Sequence, residues 1–288
     1  MIEQVGLIVH TDKPDALRFT REAVEWLQES GLQVYLEPEI AHALEMPRYL
    51  CDEATLCETD LLIAVGGDGT ILRASHLAAP RALPILGVRL GRFGFIAQIK
   101  PHELRTAIAR VQAGDYQIER RLMVRAMVYR EGKQICSALA LNDVVVTKGA
   151  VARMITLQTF VNDTFLATYT ADGVVVATPT GSTAYSLSAG GAIVDPACEV
   201  LLLTPICAHT LSARPLVLPA DKQVKVVVTA DDGDFHLQAD GGETVRLRSG
   251  DAVHVARAEE RTHLIVFDPD EFYTKLRDRL LWGERVNV

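Results

Sequence analysis

The 288-residue chain is predicted to be an α/β protein in two parts: an N-terminal doubly wound parallel-sheet domain and a β-rich C-terminal domain. Three observations carry that prediction. Over residues 1–120, short apolar runs alternate with amphipathic helical stretches. After about residue 118 the helical period nearly stops, and strand-like runs between turn residues take over. In the first part, Gly66-Gly67-Asp68-Gly69-Thr70 falls between a strand pattern and a helix pattern. In an open parallel sheet that turn lies on the carboxyl edge, where ligands bind. The expected domains are residues 1–120, joined by a C-terminal helix at 268–288, and residues 121–267.

Composition narrows the function classes. Hydrophobic residues make up 49% of the chain, enough for a substantial core. The formal net charge of −8, without any run of Lys or Arg, argues against a nucleic-acid surface. No apolar stretch approaches the roughly 18 residues that span a membrane. Glu3 and His10 bracket a start with no cleavable apolar segment, so a cytoplasmic location is expected. The five cysteines are scattered and form no Cys-x-x-Cys, which fits reduced thiols. The eight histidines show no zinc-type spacing.

Taken in order, Val5-Gly6-Leu7-Ile8-Val9 reads as the first strand. Residues 12–31 read as a helix, with Asp12 as cap, Pro14 in the first turn and Leu17, Val24 and Leu27 as its stripe. Residues 32–36 alternate as a second strand, and a Pro-interrupted, partly helical segment follows through Glu58. Residues 60–65 form the third strand, 71–79 a helix that stops before Pro80, and 84–88 the fourth strand. Residues 101–112 begin with Pro and end before Gly114, as a helix does. Beyond the boundary, 122–129, 136–147, 154–161 and 164–170 read as strands, with hairpin turns at 130–133 and 161–164. Strand character returns at 224–229, 235–239, 245–247, 252–256 and 264–267, with one helix near 182–190 and a terminal helix over 269–281.

Several stretches can carry chemistry. The Gly66–Thr70 turn permits close backbone approach, and the helix start behind it offers free N–H groups to an anion. Asp68 there fits either a helix cap or a ligand-side role as metal ligand, ribose ligand or base. No Gly-Lys-Ser/Thr follows, so this is not a P-loop. Residues 87–96 bring a second glycine-rich loop to the same edge, and Arg89 and Arg92 either reach phosphates or stay solvated. Asn142 and Asp143 open an apolar strand; they suit an adenine edge and ribose hydroxyls, or an Asx turn. Residues 172–191 run from strand through Pro179-Thr180-Gly181 into a helix built of small and hydroxyl residues. Such a helix invites a ligand or a subunit to approach its backbone, and Tyr185 and Ser188 share one face of it. Asp240-Gly241-Gly242 reads as a hairpin turn whose acid could face a site, and Asp231 to Asp234 as another turn. His209 and Arg214 fit either a buried pair or a ligand contact.

Together these pieces resemble the NAD kinase family. Gly66-Gly67-Asp68-Gly69 is similar to its Gly-Gly-Asp-Gly motif, Asn142-Asp143 stands where the family has Asn-Glu, and 172–191 is similar to its longest motif almost residue for residue. Residues 209–215, Asp240-Gly241, Gly250-Asp251 and Phe272-Tyr273 to Trp282-Gly283 fall in the family's order. The resemblance implies Mg-dependent phosphoryl transfer from ATP to the 2′-hydroxyl of the adenosine ribose of NAD, giving NADP. It implies a cytoplasmic homo-oligomer, a dimer or tetramer, with small-molecule substrates and neither nucleic acid nor membrane as partner. By resemblance Asp68 is the catalytic base or orienting group, with Gly67 and Gly69 in its turn. Asn142 and Asp143 hold the dinucleotide, Asp172 faces its nicotinamide half, and Thr183, Ala184, Tyr185 and Ser188 line the adenosine pocket. Arg73 and Arg153 stand where the family often has a ligand contact; no protein metal ligand is implied. The chain departs from the family pattern at Asp143, one methylene shorter than Glu, at Arg89 in place of Asn, and at Ala192 and Ala208 in place of Pro.

Overall fold

The computed structural model describes residues 2–11, 14–91, 94–149, 154–210, 212–229 and 234–280. The chain divides into two compact units: residues 1–120 with 262–288, and residues 121–261.

The first unit begins with β1 (Gln4–Val9), α1 (Pro14–Glu29) and β2 (Gln33–Leu36), followed by two short helices, α2 (Pro38–Ala43) and α3 (Glu53–Leu56). Then come β3 (Leu61–Gly66), α4 (Asp68–Ala78), β4 (Pro84–Arg89) and α5 (Leu104–Gln112). The strands pair in parallel in the order β2-β1-β3-β4. The direction of winding reverses between β1 and β3, and this switch point is where open α/β sheets form a crevice. The strand period of two sorts the faces. Val5, Leu7, Ile63, Val65, Leu86 and Val88 share one core with Val24 and Leu27 of α1 and Ile108 and Val111 of α5. Gly87 points the other way, where a Cβ would come within 2.7 Å of Ile71 in α4. Helices therefore cover both faces, as a doubly wound sheet requires.

The second unit is built from strands. They are β5 (Gln117–Arg130), β6 (Lys133–Ala140), β7 (Asp143–Lys148), β8 (Ile155–Val161), β9 (Thr164–Ala171) and β10 (Gly173–Ala177), then the short helix α6 (Tyr185–Ser188). β11 (Val200–Ile206), β12 (Leu216–Pro219), β13 (Val224–Thr229), β14 (Phe235–Ala239), β15 (Val245–Leu247) and β16 (Ala252–Val266) complete it, and α7 (Glu271–Leu280) belongs to the first unit. One antiparallel sheet runs β12-β11-β10-β7-β14-β15. A second layer pairs β13 with β8 and β16, β8 with β9, and β5 with β6. Val144, Val146, Val174 and Val176 of the first layer meet Leu157, Val226 and Val253 of the second in one core. Alternate residues Val145, Val175 and Leu202 face the other way and pack with Ala189 and Val194 from the segment after β10.

Several sequence expectations need correction. The run 136–147 is two strands in two layers, because the chain turns at Leu141 and Asn142. The helix near 182–190 is a 3-10 turn over Thr180–Thr183 and the four-residue α6, broken at Ala184 (φ −100°, ψ −128°). Hydroxyls compete for the backbone there: Thr178 Oγ1 accepts the Gly181 N–H, and Thr183 Oγ1 donates to the Thr180 carbonyl. The runs 252–256 and 264–267 join into the single strand β16, because ladder pairing carries the charged residues between them. β11 and β12 have no counterpart in the sequence reading. Helix α4 starts at Asp68, not Ile71, so the glycine motif is partly helical. Asp12 and residues 231–233 lie outside the described residues.

Candidate active site

Asp68 is the first residue of α4, and Gly67 holds the N-cap position without any side chain to cap. The helix-cap reading of Asp68 therefore falls, because its carboxylate reaches across to the loop after β4. Oδ2 accepts the Phe95 N–H at 2.8 Å, and Oδ1 accepts those of Ile96 and Ala97 at 3.2 and 3.4 Å. Three consecutive amides grip one half-buried carboxylate. Gly94 makes that grip possible, since a Cβ on it would stand 2.0 Å from Asp68 Oδ1. Gly66 is required by Thr70, whose Oγ1 would lie 2.1 Å from a Cβ. Gly67 and Gly69 differ: a Cβ on either would meet nothing within 4 Å. Neither is demanded by packing, so the backbone there faces open space at the switch-point edge. A helix start with open space before it suits an anion.

In the second unit, Asn142 and Asp143 mark the turn from β6 into β7. The Asp240 carboxylate clamps that turn: it accepts the N–H groups of Leu141 at 2.7 Å, Asn142 at 2.7 Å and Asp143 at 3.1 Å. From the other side, Thr178 Oγ1 donates to the Leu141 carbonyl at 2.5 Å and the Thr178 N–H donates to the Asn142 carbonyl at 2.8 Å. Gly181 lies against the same backbone, and a Cβ there would be 2.0 Å from the Asn142 carbonyl oxygen. The clamp presents two side chains. Asn142 Oδ1 is buried without a hydrogen-bond partner, an acceptor with no donor yet in place. The Asp143 carboxyl is buried, and burial, then the nearby Asp240 charge, push its pKa up to about 7 against an opposing N–H from Tyr185.

The ATP-NAD kinase N-terminal domain matches residues 5–116, and the ATP-NAD kinase C-terminal domain matches residues 141–267. An NAD kinase from Moorella thermoacetica is 41% identical over 98% of this chain and 90% of its own length. One from Symbiobacterium thermophilum is 43% identical over 96% of this chain and 98% of its own. This chain belongs to the NAD kinase family. Its chemistry is that of a kinase that phosphorylates NAD with ATP. Among solved structures, yeast NADH kinase complexed with NADH superposes with a TM-score of 0.92 at 26% identity, covering 100% of this chain and 90% of that one. An NAD kinase from Archaeoglobus fulgidus, in complex with ATP, shares the fold with a TM-score of 0.76 at 24% identity over 98% and 99% of the two chains.

The other residues that the NAD kinase resemblance singles out are placed as follows. Tyr185 is half exposed at the start of α6, with Ser188 exposed one turn on and Thr183 and Ala184 partly exposed before it. The Asp172 carboxylate pairs with Lys148 at 2.7 Å. Arg73 donates to Glu37 at 2.8 Å and to the Val9 carbonyl at 3.0 Å, tying α4 to the end of β1. Arg153 and Arg92 lie outside the described residues. Arg89 stands close enough to Glu271 for its charge to favour that carboxylate. His209 and Arg214 are both exposed, so the buried-pair alternative fails. Two residues beside these features escaped sequence reasoning, and a third was read only in part. Asp240 was legible as a turn residue, but not as a clamp. Lys148 gave no signal within its strand. His10, at the end of β1 beside Gly66, keeps its Nδ1 buried without a hydrogen-bond partner, and only its place after an apolar strand could have pointed to it.

Proposed function

We propose that the chain transfers the terminal phosphoryl group of ATP to the 2′-hydroxyl of the adenosine ribose of NAD, with Asp68 as the group that orients that hydroxyl and takes its proton. The observation that carries this is the three-amide grip on Asp68 beside the open backbone of Gly67 and Gly69. A ribose hydroxyl is a weak acid, but phosphoryl transfer passes through a loose transition state, so its proton leaves late. Position then matters more than basicity, and a carboxylate fixed by three N–H groups is positioned. The buried, unpartnered Asn142 Oδ1 supports an adenosine donor in that place, and the Asp143 carboxyl beside it a ribose hydroxyl. Thr183, Ala184, Tyr185 and Ser188 wall that pocket in this reading. Asp172 takes the nicotinamide half, its charge offset by Lys148. Arg73 and Arg153 are secondary contacts, Arg73 acting through the placement of α4.

Among the described residues no three His, Cys, Asp or Glu side chains gather into a metal site. Mg²⁺ is commonly held by one or two carboxylates with substrate phosphates; in this reading the ion arrives on the triphosphate, where it would supply charge neutralisation. A homo-oligomer in the cytoplasm completes the proposal. Phe165 and Leu166 on the edge strand β9, and Val217 on the edge strand β12, are exposed, and open edges of that kind favour a covering partner. All five cysteines are free thiols, as in a reducing compartment.

The test is a coupled assay of purified protein with NAD, ATP and Mg²⁺, read by an NADP-specific dehydrogenase. Asp68→Asn should lower turnover by about 10²–10⁴ and leave NAD affinity within a few-fold. Wild-type turnover in Asp68→Asn would remove the role assigned to Asp68.

A further inference from the structure

The loop that grips Asp68 is itself held by the C-terminal helix α7. Among the described residues of that helix only Lys275 and Leu276 are buried. Lys275 is 4% exposed, and a buried ammonium is costly unless it is paired. Its Nζ donates to the Ala97 carbonyl at 2.8 Å and pairs with Glu271 at 3.2 Å, one helical turn earlier. Burial pushes the Glu271 carboxyl up, and the Lys275 charge works against that rise. One turn after Lys275, the Arg279 guanidinium stands 4.5 Å from the centre of the Phe95 ring. Glu271, Lys275 and Arg279 recur every four residues, so they share one face of α7. Phe95 and Ala97 are the first and last of the three residues whose N–H groups hold Asp68. A cavity of about 590 Å³, lined in part by Gln98, Ile99, Phe267 and Glu271, lies beside the contact.

We propose that Lys275 is a positioning residue for phosphoryl transfer. It fastens the carbonyl end of the 95–97 segment to α7, Arg279 fastens the ring end, and together they keep three amides aimed at Asp68. The inference rests on the role assigned to Asp68 above. Sub-ångström placement of a reacting group is where distant contacts act, and misplacement by about 1 Å costs up to about 100-fold in rate.

The experiment replaces Lys275 with Met, which keeps the stem and removes the ammonium, in the full-length protein. The coupled assay gives kcat and KM for NAD and for ATP, and circular dichroism melting reports folding. The expected result is a fall in kcat of about 10- to 100-fold in a folded enzyme, with both KM values unchanged. A folded Lys275→Met enzyme with wild-type kcat overturns the proposal, and so does a rise in KM at unchanged kcat. If Lys275→Met does not fold, the exposed Arg279→Ala decides: a lower kcat at unchanged KM supports the strap, and wild-type kcat overturns it. Asp68→Asn is run alongside. If Asp68→Asn is inactive while the α7 variants are normal, only this inference fails; if Asp68→Asn turns over normally, the reading of Asp68 fails first.

Discussion

A carboxylate that accepts three backbone N–H groups has little freedom to turn, and at Asp68 the space for that arrangement exists only because residue 94 has no side chain. Gly94→Ala should therefore act as a near-selective injury to turnover. Its Cβ would fall 2.0 Å from Asp68 Oδ1, so the carboxylate or the loop must move. We expect kcat to drop by up to about 100-fold, with NAD binding retained by isothermal titration. Asp143 makes a second prediction at this scale, through pH. Its carboxyl is held near pKa 7 in the folded protein against 3.8 in the unfolded chain. Between those values the native state binds the extra proton, so stability falls as pH rises through that window and stays lower above it. Melting temperatures taken across the window should show this decline in wild type and lack it in Asp143→Asn. An identical decline in both proteins would assign it to other groups.

At the scale of elements, the segment after β10 behaves as a bracket. Thr178 is fully buried, donates to Leu141, receives the Gly181 N–H, and gives its own N–H to Asn142. The short 3-10 turn and α6 then hang from that bracket, with Ser182 bonded to Val194 and Ser186 to Thr204. This explains why small hydroxyl residues fill a stretch that makes little helix: they satisfy backbone groups where the chain is pressed against a turn. Thr178→Val keeps the shape and deletes the hydroxyl. It leaves a buried carbonyl and a buried N–H unpaired, at about 1–3 kcal/mol each. Thermal unfolding should show that loss. KM for NAD should rise more than kcat falls, because the bracket shapes the Asn142 turn and not Asp68.

For the whole molecule, each compact unit carries its own core, and the marginal stability of such units responds to anything that binds only the folded state. NAD at 100 times its dissociation constant should add about 2.7 kcal/mol, visible as a higher melting temperature. Asp68→Asn should keep that shift and lose turnover, which separates binding from chemistry in one pair of measurements. A shift absent from both proteins would mean that NAD does not bind the free enzyme.

Much of the fold was written locally. The apolar runs at 60–65 and 84–88 and the hairpin turn at Glu131 and Gly132 depend on neighbours in sequence; both turn residues take positive φ, which Gly132 adopts freely and Glu131 only at a cost. The Gly66–Thr70 turn was legible in the same way, whereas the small-residue stretch 172–191 read as a longer helix than the 3-10 turn and four-residue α6 it forms. What the sequence could not carry were partners distant along the chain. Asp68 meets residues 95–97, Asp240 meets 141–143, and Lys275 meets Ala97, across separations of up to 178 residues. A carboxylate or ammonium shows its charge in one dimension but not the amide it will find. The sequence alone determined the alternation of elements, the glycine edge and the family. The tertiary structure decided which backbone groups each charged side chain holds, because hydrogen bonds of that kind exist only once distant segments have been packed side by side.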